Sequence, residues 1–134
     1  MSLGNRLRET LKSEIEAKLD AERKALEAAI RRAAVIRESH QSLIHKIQED
    51  FIDQIIGGKK PSYKITATDQ RSWINSCNRN TSQDIDADLW INFTDWLKQE
   101  DLILKITEEH DYQGSSDWIV VRAIPAPFPE ADED

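Results

Sequence analysis

The first sixty residues contain no proline, and their only glycines are Gly4, Gly57 and Gly58. Proline removes a helical donor and glycine weakens a helix interior, so after Gly4 nothing breaks a helix before Gly57-Gly58 and Pro61. Placed at 100° per residue, Leu7, Leu11, Ile15, Leu19, Leu26, Ile30, Ala33, Ile36, Leu43, Ile44, Ile47, Phe51 and Ile55 fall on one arc roughly 140° wide. Lys18, Glu22, Arg37 and His40 lie on the same arc. The phase holds across Ser39 to Ser42, where a loop would scramble it. One continuous amphipathic helix over residues 1–58 is therefore expected in preference to a helical hairpin. The period is nearer 3.6 than 3.5, which favours fairly straight helix packing over a strongly supercoiled heptad dimer.

A helix of this length has more apolar surface than a small domain can cover. About 50 helical residues extend about 75 Å, while a compact domain of the remaining ~74 residues has a radius of gyration of about 11 Å. An isolated helix gains little from propensity and needs its apolar face buried. The expected interface consists of Leu11, Ile15, Leu19, Leu26, Ile30, Ala33, Ile36, His40, Leu43 and Ile47, meeting either a second copy or another protein. Ala25, Ala28, Ala29, Ala33 and Ala34 would let helices approach closely there.

Charge separates this helix from the rest of the chain. The 134 residues carry a net charge of -7. Residues 1–60 hold twelve Lys and Arg against ten acids, whereas residues 61–134 hold six against fifteen. The acidic second part repels nucleic-acid phosphate, whose neutralisation by Lys and Arg supplies most non-specific affinity. Residues 125–134 form an acidic Pro-rich tail expected to be extended and poorly ordered.

Residues 61–124 read as a small domain, giving an α+β fold overall. Ser62 to Ala67 alternates like a strand. Thr68 or Asp69 can cap a short helix running from Gln70 to Arg79 with Trp73, Ile74 and Cys77 inward. Asn78 to Ser82 is a turn, and Thr81 with Asp84 resembles a capping box opening a helix from Asp84 to Gln99, with Leu89, Phe93, Trp96 and Leu97 inward. Leu102 to Thr107 and Trp118 to Ile124 are strands joined by a loop from Asp111 to Asp117. Trp90, about 100° round from Leu89, is a candidate exposed anchor.

This order, helix, strand, helix, helix, strand, loop, strand, resembles the winged-helix branch of the helix-turn-helix family over residues 45 to 124. The resemblance implies a recognition helix at Asp84 to Gln99 and a wing at Glu109 to Asp117. Those positions hold Asp84, Asp86, Asp88 and Asp95, and Glu109, Asp111 and Asp117, where a major-groove reader needs Arg, Lys, Asn or Gln. A compact βααββ sandwich with no family link remains the alternative. Trp96-Leu97, Leu102, His110-Asp111 and Ser116-Asp117-Trp118 before a terminal strand are also similar to small phage or prophage proteins of unknown function. That implies a phage-encoded accessory or virion-associated protein in the host cytoplasm.

Candidate chemistry is sparse. Asp84-x-Asp86-x-Asp88 has the opening spacing of an EF-hand loop, but Leu89 stands at the sixth position and Asp95 at the twelfth, so helix-start acids are the better reading. His40 and His45 lie about 140° apart on the helix and cannot share a metal within one chain. His40, on the stripe, reads as a polar register residue, and His110 as part of a solvated hairpin mouth. Cys77, the only cysteine, sits on an inward face and fits a reducing compartment. The sequence points to no catalytic residue, cofactor or metal site and no small-molecule substrate.

Neither a transmembrane stretch nor a secretory signal is visible, so a cytoplasmic protein is expected. Taken together, these features suggest a non-enzymatic interaction module, partnered by itself or another protein, with Asp84, Asp86, Asp88 and Trp90 as a recognition surface. The alternatives are a winged-helix nucleic-acid-binding regulator using Arg23, Lys24, Arg31, Arg32 and Arg37, or an acidic DNA mimic that blocks a DNA-binding protein.

Overall fold

The computed structural model describes residues 2–79, 84–111 and 117–127. Its elements are α1 (Leu3–Ile56), β1 (Ser62–Ile65), α2 (Thr68–Arg79), α3 (Ala87–Gln99), β2 (Leu102–His110) and β3 (Asp117–Pro125). The fold is α+β, and the first helix is continuous over 54 residues. Thr81 of the expected capping box, Tyr112 to Ser116 of the expected loop and Phe128 to Asp134 of the tail lie outside the described residues.

α1 stops where Gly57-Gly58 predicts, and the hydrogen bonds explain how. Gly58 adopts a positive φ of 77°. Its N–H donates to the Ile55 carbonyl at 3.0 Å, and the Lys59 N–H donates to the Gln54 carbonyl at 2.8 Å. This pair of bonds is a Schellman motif, which satisfies carbonyls the helix end leaves free. The Gln54 side chain then fixes where the next strand starts. Its Nε2 donates to the Ser62 carbonyl at 2.9 Å, and its Oε1 accepts from the Ser62 N–H at 3.0 Å.

The chain divides into two compact units, Met1–Arg37 and Glu38–Asp134. The expected boundary at residues 58–61 is thus displaced into the helix. The reason is packing: Leu43, Ile44, Ile47 and Phe51 belong to the same buried cluster as Ile65, Trp73, Ile74, Phe93, Leu97, Ile119 and Val121. In the second unit, α2 and α3 supply one wall of this core and a three-stranded antiparallel sheet, ordered β1-β3-β2, supplies another. Tyr63 pairs with Val121 and Ile65 with Ile119, while Leu104 pairs with Ala123 and Ile106 with Val121. Alternation then puts Lys64, Trp118, Arg122 and Lys105 on the opposite face. There the Lys64 Nζ sits 4.2 Å over the Trp118 ring.

Both short helices begin differently from the sequence expectation. α2 starts at Thr68 because the Ala67 carbonyl accepts its first bond, from the Arg71 N–H at 2.9 Å. The Thr68 hydroxyl accepts from the Arg71 guanidinium at 3.2 Å. α3 starts at Ala87 rather than Asp84. Asp86 occupies the cap position in a left-handed conformation, φ 59° and ψ 30°, and its side chain makes no capping bond.

In the first unit the helix is supported locally. Asp20 Oδ1 lies 2.6 Å from Arg23 Nη2 and Asp20 Oδ2 3.1 Å from Lys24 Nζ. The Thr10 hydroxyl donates to the Arg6 carbonyl at 3.0 Å. Exposed pairs of this kind contribute only a few tenths of a kcal/mol each.

A Cβ at Gly58 meets no atom within 4 Å, so Gly58→Ala isolates the backbone term. The left-handed conformation costs an L-residue about 1–2 kcal/mol. Urea unfolding should therefore report a loss of about 1 kcal/mol with an unchanged m-value.

Candidate functional site: an exposed apolar stripe and a buried histidine–aspartate pair

The residues expected to form an interface meet two different fates. Leu11, Ile15, Leu19, Leu26, Ile30 and Ile36 are all exposed, from 45% for Ile36 to 61% for Leu26. Ala33 is exposed with them. Leu7, at 59%, extends the series, and Val35, absent from the sequence-based stripe, is 66% exposed. His40, Leu43 and Ile47 are instead buried, at 6%, 2% and 0%. These three are removed from the interface set, because core side chains of the second unit already cover them.

Large exposed apolar residues scattered singly are ordinary on a protein surface. Here they recur at spacings of three, four and seven on one helix face over residues 7–36, which makes them a continuous strip. Strips of this kind mark interaction surfaces. Fully covering one Leu or Ile side chain is worth about 1.5–3 kcal/mol. Several buried together exceed what an exposed single helix of this length gains from its own hydrogen bonding.

His40 has a specific role in the second unit. Its ring stacks on Trp73 with centroids 4.0 Å apart and planes 6° from parallel. Its Nδ1 lies 2.8 Å from Asp86 Oδ2, and both side chains are about nine-tenths buried. This contact accounts for the uncapped start of α3: the carboxylate that would bond the helix N-terminus is turned to the imidazole. The Trp73 Nε1 donates to the Ile85 carbonyl at 2.7 Å, which fixes the same turn from the other side. Trp90, expected from the sequence as an exposed anchor, is 3% exposed. It meets Trp73 edge-on at 6.4 Å and Phe93 at 5.7 Å. Its burial removes it from the expected recognition surface.

The three aspartates Asp84, Asp86 and Asp88 do not converge. The Ser76 hydroxyl donates to Asp84 Oδ1, while Asp86 turns to His40. Asp84 Oδ2 is buried with no hydrogen-bond partner among the described residues. No three His, Cys, Asp or Glu side chains among the described residues are grouped so as to hold a metal.

Cys77 is fully buried, and its thiol is pushed up from 9.0 to about 12 by burial, then by Asp84 and Asp86. An activated thiol requires the opposite shift. His110 is raised above 6.5 chiefly by its hydrogen bond to Asp117, then by the charge of that carboxylate. Nδ1 and Oδ1 are 2.5 Å apart, across the register pair that closes β2 and β3. The sequence puts His110 at a hairpin mouth, but its partner seven residues on only becomes legible once the register is known.

No family, no curated protein and no solved structure matches the chain.

Two measurements check these environments. At pH 8 the thiolate fraction of Cys77 should be roughly one in ten thousand. Alkylation by iodoacetamide should therefore be negligible for the folded protein and fast in urea. In an NMR titration, His110 should titrate above 6.5, and Asp117→Asn should return it towards that value. A raised folded-state value means that any stability from this pair is present below the ordinary pKa and lost as pH rises through the raised one.

Proposed function

We propose that this chain is a non-enzymatic protein–protein interaction module that assembles through the apolar strip of residues 7–36. The observation that supports the reading is the exposure of Leu7, Leu11, Ile15, Leu19, Leu26 and Ile30, each between 48% and 61%, on one face of a continuous helix. Water is a poor environment for such a face, and a partner helix is the simplest cover for it. Among the described residues no helix is long and apolar enough to cross a membrane, so the strip is not read as part of a lipid-spanning helix. With the resemblance to small phage and prophage proteins, the module is read as a phage-encoded accessory or virion-associated protein.

Light scattering at about 100 µM tests this reading. The wild type should give a mass above 15.4 kDa. Leu19→Asp with Ile30→Asp should weaken association at least ~100-fold, since each charge would be buried without a partner. The far-UV signal and unfolding midpoint of the second unit should be unchanged. A wild type that stays at the monomer mass counts against self-assembly.

A second reading keeps the winged-helix resemblance, because the element order helix, strand, two helices, two strands is the one that family uses. It would make the protein a nucleic-acid-binding regulator. Asp86 and Asp88 at the start of α3 oppose phosphate, so this reading ranks second. It expects a salt-dependent shift with duplex DNA. No shift at ~50 mM salt, where electrostatic binding is strongest, retires it.

A further inference from the structure

We propose that the strip is covered by a second copy of this chain running antiparallel, overlapping over residues 8–37 about a two-fold axis between Glu22 and Arg23. This names the partner and direction of the assembly proposed above and rests on that reading.

The argument starts from where charges fall beside the apolar face. Glu14 and Arg32 are eighteen residues apart. At 100° per residue that is a whole number of turns, so both lie on the same edge of the stripe. In an antiparallel helix pair like edges meet, whereas in a parallel pair each edge meets the opposite one, with residue i facing residue i+5 of its neighbour. Antiparallel packing therefore brings Glu14 of each copy to Arg32 of the other, twice by symmetry.

The parallel alternative sets like charges against one another. Arg32 would face Arg37 of the neighbour, and Lys18 and Glu22, which lie on the stripe itself, would each meet its own copy. Like charges at these positions oppose pairing.

The apolar residues are compatible with the same antiparallel register. Setting Leu19 level with Leu26 also sets Ile15 level with Ile30, and brings Glu14 to within one residue of Arg32. Leu11 then meets Ala33 and Ala34, whose small side chains allow close approach. Glu22 comes level with Arg23 of the other copy. That arginine, nearest the axis, already carries the counter-charge of Asp20 at 2.6 Å, so its closeness to its own symmetry mate is tolerated. Each of Ile15, Leu19, Leu26 and Ile30 is more than half exposed in the single chain, so the area to be covered is the area this register covers.

Cysteine cross-linking in a Cys77→Ser background tests direction and register together. Oxidation of a variant carrying both Leu19→Cys and Leu26→Cys should give a disulfide-linked dimer. Leu19→Cys alone should not, because two copies of position 19 would stand seven residues apart, about 10 Å along the axis. Ready cross-linking by Leu19→Cys alone overturns the antiparallel proposal and leaves the assembly reading intact. A wild-type chain that remains at 15.4 kDa overturns both.

Charge exchange gives a second readout that does not depend on oxidation. Glu14→Arg should weaken the dimer about fivefold, and Glu14→Arg with Arg32→Glu should restore it. Arg32→Glu alone should also weaken it. Tightening by Arg32→Glu, which would relieve the Arg32–Arg37 repulsion of a parallel pair, overturns the proposal.

Discussion

Burial of the apolar stripe of α1 is the interaction on which the rest of the structure depends, and it is satisfied over only part of the helix. Between His40 and Phe51 the stripe is a wall of the core, with Ile47 and Phe51 fully inaccessible to water. Between Leu7 and Ile36 the same pattern of residues faces solvent. The helix propensity of both stretches is similar, because neither contains a breaker. What differs is the hydrophobic term, which stabilises one stretch within the chain and leaves the apolar face of the other in water.

The second consequence of burying α1 is a polar one. His40 lies on the stripe at the edge of the core, and a buried imidazole needs a hydrogen-bond partner. Asp86 supplies it, at the cost of its own capping role, in a left-handed backbone conformation that Asp tolerates better than most residues. Trp73 covers the ring and anchors the Ile85 carbonyl. One histidine in α1 thus ties together α2, the turn before α3 and the start of α3. The same packing buries Cys77, and this burial, aided by the charges of Asp84 and Asp86, holds the thiol protonated.

Much of the fold is legible in the sequence because its signals are local. The absence of proline before Pro61, the Gly57-Gly58 stop, the alternation of Ser62 to Ile65 and the inward faces of α2 and α3 each involve neighbours on one element. Sequence and structure part where a residue's partner is distant. The start of α3 shifts because the Asp86 carboxylate answers a histidine 46 residues away, whereas the start of α2 shifts for a local reason, the Ala67 carbonyl taking its first bond. A single-helix projection puts Trp90 outside because it does not include Trp73 and Phe93. The domain boundary moves because a glycine pair marks where a helix ends, not where its packing begins.

The apolar stripe of α1, its phase and the charges along its edges can be read from the residues alone, since these follow from a fixed helical period. Which part of that stripe is already covered depends on the packing of the other elements. Leu43 and Leu26 are the same residue type on the same face of the same helix. One is 2% exposed and the other 61%, because burial depends on which side chains from other elements arrive there, and that is a property of packing, not of periodicity.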